Sequence, residues 1–265
     1  MLTDEQATKA ATLIWRCWKS GSVMKTLPAD LKPSNRADAY KIQKNFEAWS
    51  AKPIVGWKIA ATSSAGQQHI GVSAPIAGRL LFENTFESGR ELFFGVNRMA
   101  VAEAEFAFCM AVDLPPKRSI YSQQEVVASI ESLHPAIEIP DSRFVPFESA
   151  GEAQLIADNA CTRDFILGPP MPENWRNRDL SKQVVEIRAG DAAPHVGNGA
   201  NVLGGPFIAL TWIVNELSSF GLTLEAGKFV TTGTCTVPVP IQSGDMISAT
   251  FGDLGDIYVR FRSAN

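Results

Sequence analysis

Two glutamates, Glu103 and Glu105, stand one residue apart inside an otherwise apolar run, Met99-Ala-Val-Ala-Glu-Ala-Glu-Phe-Ala-Phe-Cys-Met-Ala-Val112. The run's length and its aromatic and β-branched content predict a strand. Side chains alternate faces along a strand. Both carboxylates therefore leave one face, while Ala104, Phe106 and Phe108 leave the other. Like charges about 4 Å apart repel by roughly 4 kcal/mol at an effective dielectric of about 20. Burial raises that cost unless something positive lies between them. A solvated acidic face on an edge strand is the alternative. A third acid weighs against it: Glu138 lies in Pro135-Ala-Ile-Glu-Ile-Pro140, flanked by isoleucines. Carboxylates without clustered His or Cys suit a hard, oxygen-seeking cation such as Mg2+ or Mn2+. Glu103, Glu105 and Glu138 as ligands would leave about three octahedral positions for water or a chelating substrate.

The bulk properties narrow the class. The 265 residues suffice for one large domain or two modest ones, and 45% hydrophobic with 20% charged is an ordinary globular composition. A net charge of -4 offers no basic footprint for nucleic acid. No apolar run approaches the length of a membrane span. The N-terminus, Met1-Leu-Thr-Asp-Glu-Gln6, is acidic and polar, unlike a signal peptide. Cys17, Cys109, Cys161 and Cys235 are widely spaced, without CxxC. They read as small buried hydrophobes in a reducing, cytoplasmic setting.

Residues 1–54 read as a helical region. Thr3 and Gln6 form a capping-box pattern, followed by Ala10, Leu13, Ile14, Cys17 and Trp18 at helical spacing and by Gly21 as a stop. A second helix is expected from Arg36 to Trp49, with Ala39, Ile42 and Phe46 on one face. Residues 55–265 read as a mixed β region. Strands are expected at Val55–Ala61, Ala100–Val112, Pro135–Ile139, Gln183–Arg188, Lys228–Thr234, Met246–Phe251 and Ile257–Phe261. Two helices interrupt them. One starts at Ser122 and carries Val126, Val127, Ile130 and Leu133. The other runs from Pro206 to Phe220, with Ile208, Trp212, Ile213 and Leu217 inward. These elements do not alternate as βαβ, which disfavours a doubly wound sheet.

Several further residues could carry chemistry. Lys58 is centred in the apolar strand Val55-Gly-Trp-Lys-Ile-Ala-Ala61 and must snorkel or find a partner. Facing the acids, it would be a paired charge, a proton carrier or a carboxylate anchor. Asp141-Ser142-Arg143 could brace the Glu138 ligand or form a solvated turn. Asp158-Asn159 could supply supporting hydrogen bonds or start a turn. Thr231-Thr-Gly-Thr234, with Thr232 at its centre, could bind a carboxylate or make a tight β-turn. His69, His134 and His195 have no metal-ligand spacing, and His69, just after the lysine strand, is the one singled out. No GxSxG, P-loop or GxGxxG after a strand is present.

Taken in order, Gly56-Trp-Lys-Ile59, Glu103-Ala-Glu-Phe-Ala-Phe108, Pro135-Ala-Ile-Glu-Ile-Pro-Asp-Ser-Arg143 and Ala157-Asp-Asn-Ala160 resemble a known family. Thr232-Gly-Thr234, Pro238-Val-Pro240 and Gly244-Asp245 complete the likeness, which spans residues 36 to 262. The chain resembles the 2-keto-4-pentenoate hydratase and 4-oxalocrotonate decarboxylase family of the fumarylacetoacetate hydrolase superfamily. The resemblance implies an α+β fold, a mixed β-sandwich or roll of the fumarylacetoacetase C-terminal-domain type with an N-terminal helical region. It implies an Mg2+ or Mn2+ site at Glu103, Glu105 and Glu138, Lys58 as the active-site lysine, and a homo-oligomer. The implied reaction adds water to a 2-hydroxy-2,4-dienoate from aromatic catabolism, giving a 4-hydroxy-2-oxo acid. A 4-oxalocrotonate-type decarboxylase, a C–C hydrolase of acylpyruvates using His69, and an inactive partner subunit that binds 2-oxo acids are the alternatives. Two segments depart from the family pattern. Asp-x-Gly-x-Leu reads Ile76-Ala-Gly-Arg-Leu80, and Gly-His-Pro-x-Asn reads Gly204-Gly-Pro-Phe-Ile208. The new cation Arg79 is expected to contact a distal substrate carboxylate. His69, Asp158 and Thr232 complete the expected substrate-facing set.

Overall fold

A computed structural model describes residues 1–262; residues 263–265, at the end of the expected β region, lie outside the described residues. Helix α1 (Asp4–Ser20) begins at Thr3 with a complete capping box and ends on the left-handed Gly21. Helix α2 (Arg36–Trp49) starts at Asn35, whose side chain caps Asp38 N. Phe46 is fully buried where the two helices meet, with the rings of Trp15, Trp18 and Trp49 at 5.8, 6.0 and 6.2 Å. Gln43 fastens α2 to the body, its Nε2 donating to Ala77 O at 2.9 Å and Ile156 O at 2.8 Å.

The large sheet comprises β1 (Gly56–Ala60), β2 (Ile76–Leu80), β3 (Thr85–Glu87), β5 (Val101–Met110), β6 (Ile130–Ile139), β7 (Asp164–Leu167), β10 (Phe229–Thr234) and the short β11 (Val239–Pro240). Its order is β2-β1-β10-β5-β6-β7-β3, with β11 pairing β5. The pairs β1/β10 and β7/β3 are parallel, and the others along this path are antiparallel. A second sheet has the order β4-β13-β12-β8-β9. Its strands are β4 (Glu91–Phe93), β8 (Val184–Ala189), β9 (His195–Asn198), β12 (Met246–Thr250) and β13 (Asp256–Arg262). The expected division of strand faces holds in β5. Ala104, Phe106 and Phe108 enter a continuous core with Val185, Ile187, Ile247, Ile257 and Val259 of the second sheet. The Phe106 and Phe251 rings meet at 5.0 Å across that interface. Helix α6 (Pro206–Ser219) covers the same core through Phe207, 5.5 Å from Phe108. This is the α+β, two-sheet architecture that the sequence implies, with its helical N-terminal elements packed on the body.

Three local expectations fail. The helix after Ser122 is α4 (Gln123–Ala128), which stops before Ile130; Ile130 and Leu133 belong to β6 instead. Leu133 pairs with Phe108 across β5, and ten residues of ladder outweigh one further helical turn. Ile208 is 46% exposed on α6, whose buried stripe runs through Ala209, Leu210, Ile213, Val214 and Leu217. Strands β2, β3, β4, β7 and β9 and the helices α3 (Ser64–Ile70) and α5 (Glu152–Ala157) lie outside the segments expected to be helix or strand. No helix among the described residues is long and apolar enough to cross a membrane.

Phe46→Ala removes the ring shared by both N-terminal helices. It should destabilise the protein by about 3–5 kcal/mol, lowering Tm by roughly 10 °C in a thermal melt.

Candidate metal and proton-transfer site

Four consecutive strands build one face. Glu103 lies directly opposite Glu138 across β5 and β6, and Glu105 lies opposite Ala136. Thr231 of β10 pairs with Ala107 on one side and with Lys58 of β1 on the other. Directly paired residues share a face, so Lys58, Thr231, Glu103, Glu105 and Glu138 converge. Carboxylate oxygens of the three glutamates lie within 4.8 Å of one another. Glu105 and Glu138 are fully buried and Glu103 is half-buried. The alternative of a solvated edge strand is excluded by position: β5 is paired on both sides.

The donor set fits a hard cation. Glu105 Oε1 and Glu138 Oε1 are buried and accept no hydrogen bond from the described residues. Glu138 Oε2 lies 3.3 Å from Lys58 Nζ, an ion pair without the geometry of a hydrogen bond. Buried carboxylate oxygens without donors are costly, and an oxygen-seeking cation would satisfy all three at once. Glu105 Oε2 is committed to the protein: the Thr231 hydroxyl and Gly233 N–H both donate to it. That leaves Oε1 to turn toward its neighbours. In the metal-free protein, burial and then the charge of Glu103 push the Glu105 carboxyl up to about 8. Burial likewise raises Glu103 and Glu138. Burial works against the Lys58 charge, but Glu138, Glu103 and Glu105 outweigh it and raise its pKa, so it stays an ammonium.

Lys58 Nζ also donates to Ala160 O at 3.0 Å. That carbonyl belongs to a turn in which Asn159, Ala160 and Cys161 have φ of 56°, 52° and 59°. Left-handed backbone costs an L-residue roughly 1–2 kcal/mol, so the turn must be held. Asp158 is part of the hold. Fully buried, it accepts from Ser142 Oγ at 2.7 Å and Arg143 N at 2.9 Å and forms an ion pair with the Arg143 guanidinium. Arg143 also donates to the carbonyls of Asp141 and Thr162 at 2.8 Å each. The Asp141-Ser142-Arg143 segment is therefore a buried brace for this turn and not a solvated salt bridge.

The expected substrate-facing residues fare differently. Arg79 pairs with Trp57, not Lys58, and so points to the opposite face of the sheet. There it is fully buried, forms an ion pair with Glu47, donates to Gln43 and lies 4.4 Å from the Trp57 ring. Its charge is used in fastening α2 to β1 and β2, which corrects its assignment as a contact for a distal carboxylate. Thr232 gives its hydroxyl to Phe106 O at 3.1 Å; its neighbours Thr231 and Gly233 hold Glu105 instead. The reason is strand alternation: Thr231 pairs with Ala107 on the Glu105 face, so Thr232 faces away, and a bulge follows between Thr231 and Thr234. Gly233 has φ +99°, and a Cβ there would lie 2.2 Å from Thr62 Oγ1. His69 is exposed at the end of α3, edge-on to Phe147 at 5.8 Å. Ile76, at the departing position, is fully buried opposite Ala60 and shares the Lys58 face.

A two-sheet α+β fold presenting a carboxylate triad beside a buried lysine defines a class of metal-dependent enzyme. Residues 40–262 match the fumarylacetoacetate (FAA) hydrolase C-terminal family, and the chain belongs to that family. It is 31% identical to 2-keto-4-pentenoate hydratase 1 of Dechloromonas aromatica over 95% of each chain. It is also 31% identical to 4-oxalocrotonate decarboxylase of Pseudomonas sp. strain CF600 over 85% of each. The structure of 4-oxalocrotonate decarboxylase from Pseudomonas putida G7, complexed with magnesium and adipate, superposes with a TM-score of 0.88 at 28% identity. That match covers 98% of this chain and 99% of that one.

Two outcomes test this site. A carboxyl whose folded pKa lies above its unfolded value makes the native state bind more protons, so stability falls as pH rises through that window. The metal-free protein should therefore lose stability between pH values of about 4.5 and about 8. Lys58 does not change the sign, because its raised pKa stabilises the fold throughout this range. Divalent cations compete with the protons, so the Tm gain on adding Mg2+ should be small at acidic pH and grow toward pH 8. Arg79→Ala breaks a pair buried on the arginine side and should lower stability by about 2–3 kcal/mol in denaturant titration. Metal affinity, read by calorimetry, should be unchanged.

Proposed function

We propose that the protein is a divalent-metal-dependent hydratase acting on a 2-hydroxy-2,4-dienoate of the 2-keto-4-pentenoate type. The observation that carries this reading is the placement of Lys58 Nζ 3.3 Å from Glu138 in a face that holds three converging carboxylates. Similarity to 2-keto-4-pentenoate hydratases over nearly the whole chain supports it. Glu103, Glu105 and Glu138 would hold Mg2+ or Mn2+. Bound there, the cation supplies a Lewis acid that takes up the 2-oxo carboxylate and stabilises enolate charge. Thr231 and Gly233 fix the Glu105 carboxylate so that its free oxygen keeps its direction. Lys58, resting as an ammonium, would give a proton to the terminal carbon of the dienol and take back the proton of the 2-hydroxyl, leaving the conjugated keto form and the ammonium restored. Water then adds to the conjugated double bond, its oxygen to the β-carbon of the enone and its proton to the α-carbon. The burial of Lys58, Glu105 and Glu138 excludes bulk water from the proton's path.

Decarboxylation of a 4-oxalocrotonate-type substrate is the second reading. The 0.88 superposition on the Pseudomonas putida G7 decarboxylase favours it. The same face would serve, with carbon dioxide leaving where the hydratase transfers a proton. Homo-oligomeric assembly and a cytoplasmic setting belong to the proposal too. The four free cysteines, three of them buried, support a reducing compartment, and light scattering on a sizing column measures the assembly.

Loss of dienol absorbance, followed with and without carbon dioxide detection, separates the two reactions. Lys58→Met should keep metal binding and lower kcat by a factor of roughly 100 to 10,000. Glu103→Gln should lose metal and activity together. Metal binding that survives unchanged in Glu103→Gln would overturn the site, and absence of dienol turnover by the metal-loaded wild type would overturn the hydratase reading.

A further inference from the structure

Lys58 is held from two sides, by Glu138 Oε2 at 3.3 Å and by Ala160 O at 3.0 Å. The carbonyl reaches it because Asn159, Ala160 and Cys161 are all left-handed. Such a conformation persists where the surroundings over-determine it. The Asn159 side chain does much of this. Its Oδ1 accepts from Arg79 N at 2.6 Å, and its Nδ2 donates to Arg79 O at 2.8 Å. Strand β2 is the last in its sheet, and the amide takes the place of a neighbouring strand along its open edge. Asparagine is suited to this double task. It tolerates the left-handed region better than other side chains, and its amide offers a donor and an acceptor. Close approach is secured from below. A Cβ on Gly78 would lie 2.3 Å from Asn159 O, and Thr162 Oγ1 donates to that same oxygen at 2.6 Å. Gly78 is also the direct pairing partner of Lys58. The clamp, the turn and the lysine therefore occupy neighbouring positions on two adjacent strands.

We propose that Asn159 is a positioning residue for Lys58: its amide pins the left-handed turn to the edge of β2 and so fixes the carbonyl that aims the ammonium across the carboxylate face. Among the described residues, no hydrogen bond or ion pair joins the Asn159 side chain to the glutamates or to Lys58. Without the clamp, the turn relaxes, the Ala160 carbonyl withdraws, and the ammonium is left to Glu138 alone. The catalytic part of this inference rests on the reading of Lys58 as the proton carrier, whereas the placement of Lys58 is measurable without turnover.

Asn159→Gly is the informative variant, because glycine keeps the left-handed backbone easily and only the clamp is lost. Misplacement of a reacting group by about 1 Å can cost about 100-fold in rate. In this variant kcat should fall by roughly 10- to 100-fold, with KM and the Mn2+ dissociation constant within about twofold of wild type. The independent readout is the 15N-lysine side-chain spectrum of the metal-free protein. The signal that Lys58→Met removes should shift or broaden in Asn159→Gly. Should that variant not fold, Asn159→Ser, too short to span both backbone groups of Arg79, carries the same readouts. An unchanged Lys58 signal, or a kcat that stays at the wild-type value while only Tm falls, would overturn the proposal. If the wild type turns over no dienoate, the hydratase reading fails alone, and the Lys58 spectrum still decides the role of Asn159.

Discussion

The rest of the structure is arranged around the mutual repulsion of three carboxylates on one buried sheet face. Glu105 and Glu138 are fully buried, so water cannot screen them, and strand pairing fixes their separation. The triad can exist only on a strand hydrogen-bonded along both edges, because an edge strand would let solvent in and dissolve the constraint. This explains why β5 is a ten-residue strand at the middle of its sheet, with β10 and β6 on either side. It also explains the contrast between its faces. The apolar face packs on the second sheet with Phe106 and Phe108, and that burial offsets the electrostatic penalty of the opposite face.

Charge balance shows what the face lacks. Lys58 is the one cation that meets the triad through an ion pair among the described residues. Three ionised carboxylates against one ammonium leave two negative charges in a buried site. Protons neutralise them in the metal-free protein, as the upward displacement of all three carboxyls records. A divalent cation would neutralise them while binding the oxygens that lack donors, and it would leave Lys58 free of the task of neutralisation. The two states differ in what Lys58 can do. Without the cation it balances the charge that protons leave on the triad, whereas beside a metal-loaded triad it would be available for the proton transfer proposed above.

The legibility of this arrangement in the sequence follows the range of the interactions involved. Thr3 and Gln6 act over one helical turn, and their capping box forms as read. The alternation through Glu103, Glu105 and Phe106 is a property of one strand, and it places the acids correctly. Thr232 stands at the centre of a threonine-glycine motif, but strand parity gives the site face to Thr231, which pairs with Ala107 of β5 and Lys58 of β1. Only the pairing of β10 with its neighbours reveals that parity. Gly233 marks the bulge that follows, where its N–H reaches Glu105. The charge of Arg79 points to a substrate contact, but its parity decides otherwise. It directly follows Gly78, which is on the Lys58 face, and that single step puts the guanidinium among Glu47, Gln43 and Trp57. The Ala160 carbonyl left no trace at all, because a backbone atom has no residue type.

The same contrast bears on how this site differs from a simple metal-binding sheet. Carboxylates on paired strands are placed by register, which the ladder sets cheaply and robustly. A lysine is not placed that way: its long flexible stem leaves the ammonium free to settle on the nearest carboxylate. A second contact on the far side of the ammonium is needed to hold it between extremes. No side chain of β1 or β2 can supply one, since Gly78 opposite Lys58 has none. A backbone carbonyl delivered by a separate turn meets the need without adding another titrating group to an already crowded field. The strained turn, the glycine that admits it and the buried Asp158–Arg143 pair that braces it are thus parts of one solution, imposed by putting a flexible cation beside three fixed anions.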